Sequence, residues 1–83
     1  MFNSVAIIGN LGADPDIRYA ASGTAIANIR LAVNDHRKDQ QGNTIQQTYW
    51  FTAVAFGKVA EVIGNYCQKG SKVGIQGKLV QRE

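Results

Sequence analysis

The 83-residue sequence has little of what usually staples a small domain together. Its one cysteine, Cys67, excludes an internal disulfide, and one cysteine with one histidine, His36, excludes a four-ligand zinc site built from a single copy. No metal or cofactor is expected. There is one proline, Pro15, and no repeat, low-complexity tract or Pro/Ser-rich linker, so residues 1–83 read as one domain. A chain this short buries only about 60–65% of the surface its unfolded form exposes, which makes self-association the expected source of further stability. No apolar run approaches the roughly 18–20 residues a membrane span requires. Met1-Phe2-Asn3-Ser4 carries no basic or hydrophobic leader, and an unpaired thiol suits a reducing compartment. A cytoplasmic protein is expected.

Catalytic signatures are also missing. Gly-x-Ser-x-Gly does not occur. Gly9-Asn10-Leu11-Gly12 lacks the third glycine and the following helix of a dinucleotide fingerprint, and Lys69-Gly70-Ser71-Lys72 only superficially matches a phosphate-cradling loop. Asp14 and Asp16 flank Pro15, where carboxylates usually serve a turn. The chain does not read as an enzyme.

Charge is present but unevenly spread. Nine basic residues face six acidic ones, a net charge of +3. Residues 1–57 are balanced, and the whole excess lies in 58–83, where Lys58, Lys69, Lys72, Lys78 and Arg82 outnumber Glu61 and Glu83. Such an excess suits a polyanionic partner and equally suits a solvated surface.

The hydrophobic pattern is mostly of period two. Val5–Leu11 reads as a strand apolar on both faces, followed by turns at 12–16 and at Ser22-Gly23. From 25 to 33, Ala25, Ala27, Ile29, Leu31 and Val33 alternate with Ile26, Asn28, Arg30 and Ala32, a strand with one buried side. The polar stretch 34–44 reads as a long hairpin connection and 46–56 as a third strand. Val59, Val62, Ile63 and Tyr66 then fall at i, i+3, i+4 and i+7, predicting a short amphipathic helix over 58–66 with those four on its apolar face, closed by Lys69-Gly70. Residues 73–80 alternate again as a fourth strand. An all-β fold with the order strand, strand, strand, helix, strand is four-fifths of the OB architecture, a five-stranded Greek-key barrel with a helix between strands three and four. With a fifth strand missing, the chain is C-terminally incomplete, a neighbouring subunit closes the barrel, or the sheet stays open.

The third strand carries the binding signal. Both of its faces bear large apolar groups: Tyr49, Phe51, Ala53 and Ala55 on one, expected to supply core, and Thr48, Trp50, Thr52, Val54 and Phe56 on the other. Trp50 and Phe56 are about 20 Å apart along an extended strand, with Thr52 and Val54 small enough to leave a groove. Exposed aromatic rings stack on bases of any sequence while cations track the phosphates. Covering the core or filling a subunit contact is the alternative use of these rings. Arg37, Lys38 and Lys58 lie close by in sequence and tilt the reading toward nucleic acid. Arg18 suits either a phosphate contact or an ion pair with Asp14 or Asp16. Cys67 reads as a small buried hydrophobe.

These residues resemble a known family. Gly9-Asn10-Leu11-Gly12-Ala13-Asp14-Pro15-Asp16-Ile17-Arg18-Tyr19 is similar to the opening motif of bacterial single-stranded DNA-binding proteins. Ala27-Asn28-Ile29 with Leu31-Ala32, Thr48 with Trp50, Val54 with Phe56-Gly57-Lys58, Tyr66 with Lys69-Gly70-Ser71, and Gly77 with Leu79 resemble the stretches that follow. The resemblance implies an OB fold, a homotetramer and sequence-independent wrapping of single-stranded DNA in replication, recombination and repair, with no membrane role and a place in the cytoplasm at the nucleoid. It implies stacking by Trp50 and Phe56, with phosphate contacts by Arg18, Lys58, Lys69 and the hairpin cations Arg37 and Lys38. Beside these, Thr52 between the rings and Lys72, Lys78 and Arg82 of the basic C-terminal stretch are expected to belong to the same DNA-binding surface. The sequence departs from the family where a further stacking tryptophan is common, holding His36 and Arg37 instead. A fifth strand and an acidic C-terminal tip are not in the sequence, so partner proteins recruited through that tip are not expected of it. A replication-restart adaptor related to this family and an RNA-binding OB domain are the alternative readings.

Overall fold

The computed structural model describes residues 3–80. Five strands and one helix follow in the order β1 (Val5–Leu11), β2 (Asp16–Tyr19), β3 (Ala25–Lys38), β4 (Thr44–Phe56), α1 (Lys58–Tyr66) and β5 (Lys72–Gly77). All pairings are antiparallel, in an open sheet ordered β2-β3-β1-β5 with β4 along the other edge of β3. The expected order of strands and helix is observed, with Asp16–Tyr19 added as a short strand where the sequence suggested only the end of a turn.

That added strand continues β1 along the same edge of β3. Leu11 pairs with Leu31 and Asp16 with Asn28, so the β1–β2 side takes five steps while β3 takes three. The break at Gly12–Pro15 therefore inserts an even number of residues, and side chains alternate in phase on both sides of it. Pro15, which has no N–H to give a ladder, sits in the break.

The β3–β4 hairpin is longer than its sequence suggested. Pairing runs without interruption from Ile26 opposite Phe56 to Lys38 opposite Thr44. The polar stretch 34–38 is strand, because residues 44–48 offer it a complete ladder, and only Asp39–Asn43 turn. Asp39 fixes that turn: its Oδ1 accepts the N–H groups of Gln41 (2.9 Å) and Asn43 (2.8 Å), and its carbonyl accepts the Gly42 N–H. The result is an arm reaching beyond the body. The Cα radius of gyration is 15.3 Å, against roughly 12 Å for a compact chain of this length.

The core lies between the inner face of the sheet and α1. Leu11, Ile29 and Leu31 form one buried cluster, with Ile7, Ala53, Cys67, Val73 and Ile75 against it. Ala25, Ala27 and Ala60 form the other, with Ile17 and Ala55, and Ile63 packs on both. Of the third-strand residues expected to supply core, Ala53 and Ala55 do so, whereas Tyr49 and Phe51 lie where the arm leaves the body and are 40% exposed.

The helix spans the expected residues but presents a face rotated by one position. Ala60, Ile63 and Cys67 pack inward, whereas Val59, Val62 and Tyr66 are exposed. The reason is the closeness of the approach. The helix sits over Ala25 and Ala27, and a Cβ built on Gly64 would lie 3.1 Å from Cγ1 of Ile17. Small residues at 60 and 64 permit that contact, and larger ones at 59 and 62 are left outside. Lys69 and Gly70 do not close the helix, which ends at Tyr66. They form a separate turn in which the Ser71 N–H donates to the Gln68 carbonyl. The last strand stops at Gly77, opposite Val5 where β1 begins. Beyond it the Asn3 side chain replaces the ladder, accepting the Leu79 N–H at 2.9 Å.

Candidate nucleic-acid interface

Directly paired residues of an antiparallel ladder point to the same side, so the register assigns every side chain a face. On the side away from α1, one row runs Lys72, Asn10, Ala32, Trp50 across β5, β1, β3 and β4. Arg30 and Thr52 pair in the next row, Asp16, Asn28 and Val54 make a third, and Arg18, Ile26 and Phe56 a fourth. Trp50 and Phe56 thus stand at the two ends of a path about 20 Å long, floored by Ala32, Thr52, Asn28 and Val54. Trp50 is 50% exposed and Phe56 62%. The body of the sheet gains nothing by leaving both rings in water.

Two contacts hold the Trp50 ring. The guanidinium carbon of Arg30 lies over it, 4.9 Å from the ring centroid, a cation–π distance. Gly12 passes beside the benzo ring so closely that a Cβ there would fall 2.5 Å from Cζ3 and 3.0 Å from Cη2. Gly12 is fixed in turn by donating its N–H to the Arg30 carbonyl at 2.9 Å.

The same face collects positive charge. Arg18, Arg30 and Lys72 occur on it, with Lys38 toward the arm tip. Asp16 is the acidic residue among these rows, and its Oδ2 accepts from Nε of Arg18 at 3.3 Å. Both side chains are more than half exposed, so the pair adds little stability and leaves the guanidinium free to take another anion. Asp14 and Asp39 are turned to backbone N–H groups, Asp14 accepting from Lys69 at 2.8 Å. The turn at Lys69 is tied by Asp14 and by Leu11 to either side of Gly12, at the Trp50 end of the path.

The residues singled out from the sequence therefore divide. Trp50, Thr52, Phe56, Arg18, Lys38 and Lys72 share one face. Arg37 points to the opposite side, where it donates to Oε1 of Gln47 at 3.5 Å beside Tyr49. Lys58 lines a groove on the helix side with Ile17, Tyr19 and Tyr66. Lys78 follows the end of β5, and Arg82 lies outside the described residues. Arg30 and Asn10 lie on this face and Gly12 lies against Trp50, although composition and spacing did not single them out. Arg30 was on the polar side of its strand in the sequence pattern, but only the register puts it beside Trp50. Among the described residues no helix is long and apolar enough to cross a membrane.

The single-strand binding protein family matches residues 2–83. The chain belongs to that family. It is 46% identical over 77 residues to the single-stranded DNA-binding protein of Xanthomonas campestris pv. campestris, a match covering 93% of this chain and 45% of the relative. The single-stranded DNA-binding protein of Xanthomonas axonopodis pv. citri is also 46% identical over 77 residues, covering 93% and 43%. The chain thus spans somewhat under half the length of these relatives. Among solved structures it is similar to a deletion mutant of the single-stranded DNA binding protein from Thermus aquaticus. There the TM-score is 0.84 at 33% identity, over 99% of this chain and 41% of that one. The antiparallel sheet with its single helix between the hairpin and the last strand, together with this likeness, agrees with the OB fold expected of the family.

Proposed function

We propose that the chain binds single-stranded DNA without base preference, laying the strand along β4 from Trp50 to Phe56. What supports this reading most is the coincidence of two exposed aromatic rings with Arg18, Arg30 and Lys72 on one face, in a member of the single-strand binding protein family. Base–aromatic stacking contributes about 1–3 kcal/mol per base and tolerates any sequence. The family carries the reading further, to protection of single strands in replication, recombination and repair by a non-enzymatic protein. Self-association into a tetramer fits the exposed Ile8 on the face of β1 and the thin core.

Titration with oligo(dT), followed through the emission of Trp50, the sole tryptophan, tests it. The emission should be quenched on binding. If Arg18, Arg30, Lys38, Lys69 and Lys72 each neutralise a phosphate, log K should fall with log salt at a slope of about −3.5. Equal affinity for duplex, or binding indifferent to salt, would refute the proposal, and preference for an RNA oligomer of equal length would redirect it to RNA.

A further inference from the structure

We infer that Arg30 is an exchangeable cap on the Trp50 ring: it covers the indole in the free protein and moves to a phosphate when a base takes its place. This rests on the single-strand reading above and adds a step to it. The guanidinium lies over the ring at 4.9 Å. A stacked base needs that ring surface at about 3.5 Å or so, the usual contact separation of carbon atoms, so base and guanidinium cannot share it. Gly12 crowds the ring at Cζ3 and Cη2, and the exchange is proposed at the ring surface that Arg30 covers. Arg30 is exposed, and its ladder partner Thr52 is the next residue toward Phe56 on the same face of β4. A guanidinium leaving Trp50 therefore stays on the path of the strand, where phosphates pass. Its planar fork suits both partners, an aromatic face and a phosphate.

The exchange has a signature that neither a purely structural arginine nor a permanently stacked one would give. Losing the cap frees the ring, a gain in affinity of about two- to fivefold, the worth of an exposed cation–π contact. Losing the phosphate contact makes the salt slope shallower by about 0.7. The two effects oppose each other and scale differently with salt. Arg30→Met should bind oligo(dT) more weakly than wild type at 50 mM salt. The ratio of the two affinities should then shift by about fivefold in the variant's favour by 500 mM, so the lines cross.

The test uses the 83-residue chain, with Arg30→Met, Arg30→Lys and wild type titrated with oligo(dT) across that range. Acrylamide quenching of Trp50 is measured free and bound, and thermal melts confirm that the exposed substitution leaves the fold intact. In the free protein Arg30→Met should raise the quenching constant, and in the complex the two proteins should be equal, since a base covers both rings. Arg30→Lys should restore the wild-type slope. Parallel salt lines, unchanged quenching in the free variant, or a bound wild-type ring still better shielded than the variant's would each overturn the exchange while leaving single-strand binding in place. A wild-type chain that binds no oligonucleotide would overturn both.

Discussion

Gly12 and Trp50 are fitted to each other: the glycine occupies the space beside the indole where any side chain would collide, 2.5 Å from a built Cβ to Cζ3. Gly12→Ala should therefore displace the ring rather than unfold the chain, because Trp50 is half exposed and free to move outward. The expected result is a shifted Trp50 emission and oligo(dT) affinity reduced by about tenfold, within the range of one lost stacking contact. The thermal midpoint should move far less than it does for a core substitution. A variant with unchanged emission would mean that Gly12 does not position the ring.

Trp50→Ala and Phe56→Ala should each weaken binding by about 1–3 kcal/mol. The two sites are roughly 20 Å apart, so the double variant should lose close to the sum. Circular dichroism should remain that of the parent. Collapse of the fold in either single variant would show that the ring is core and not platform.

The two faces of the sheet separate the cations. Lys72→Ala should make the salt slope of oligo(dT) binding shallower by about 0.7, since Lys72 shares the row of Asn10, Ala32 and Trp50. Arg37→Ala should leave the slope as it was, since Arg37 is bonded to Gln47 on the other side of the arm. Equal effects would argue that the strand wraps both faces.

The rotated helix face predicts an inversion of the usual size rule. Ala60→Leu should destabilise by about 1–3 kcal/mol through overpacking against Ala25 and Ala27. Val59→Ala, although it removes a larger side chain, should cost less than about 0.5 kcal/mol, as an exposed substitution does. Urea melts of the two variants decide it.

Much of this was legible in the residues. The alternation of β3 and the switch of period at Lys58 set the element order, and the aromatic pair on β4 named the face that the proposal uses. What the pattern did not disclose was register. Yet the turn residues carried it: once Asp39 and Gly42 are recognised as one tight turn, Lys38 must face Thr44, and counting back places Arg30 beside Thr52 and Ala32 beside Trp50. The polar composition of 34–38 concealed this, because a solvated arm pairs its backbone as fully as a buried strand but has no reason to be apolar. The helix failed differently. Periodicity ranks residues by hydrophobicity, and so favours Val59 and Val62, but where the helix crosses Ala25, Ala27 and Ile17 the close approach takes the small residues at 60 and 64, with Ile63 between the two clusters.

The two-residue excess between Leu11 and Asp16 has a consequence for how this chain can vary. A single residue gained or lost in 12–15 would swap the two sides of β2. Ile17 would come out among Phe56 and Ile26, and the Arg18 guanidinium would be driven toward the close contact with Gly64 and Ala60. Length changes there are sieved by parity: pairs of residues pass, odd numbers cost the site a charge and the core an isoleucine at one stroke.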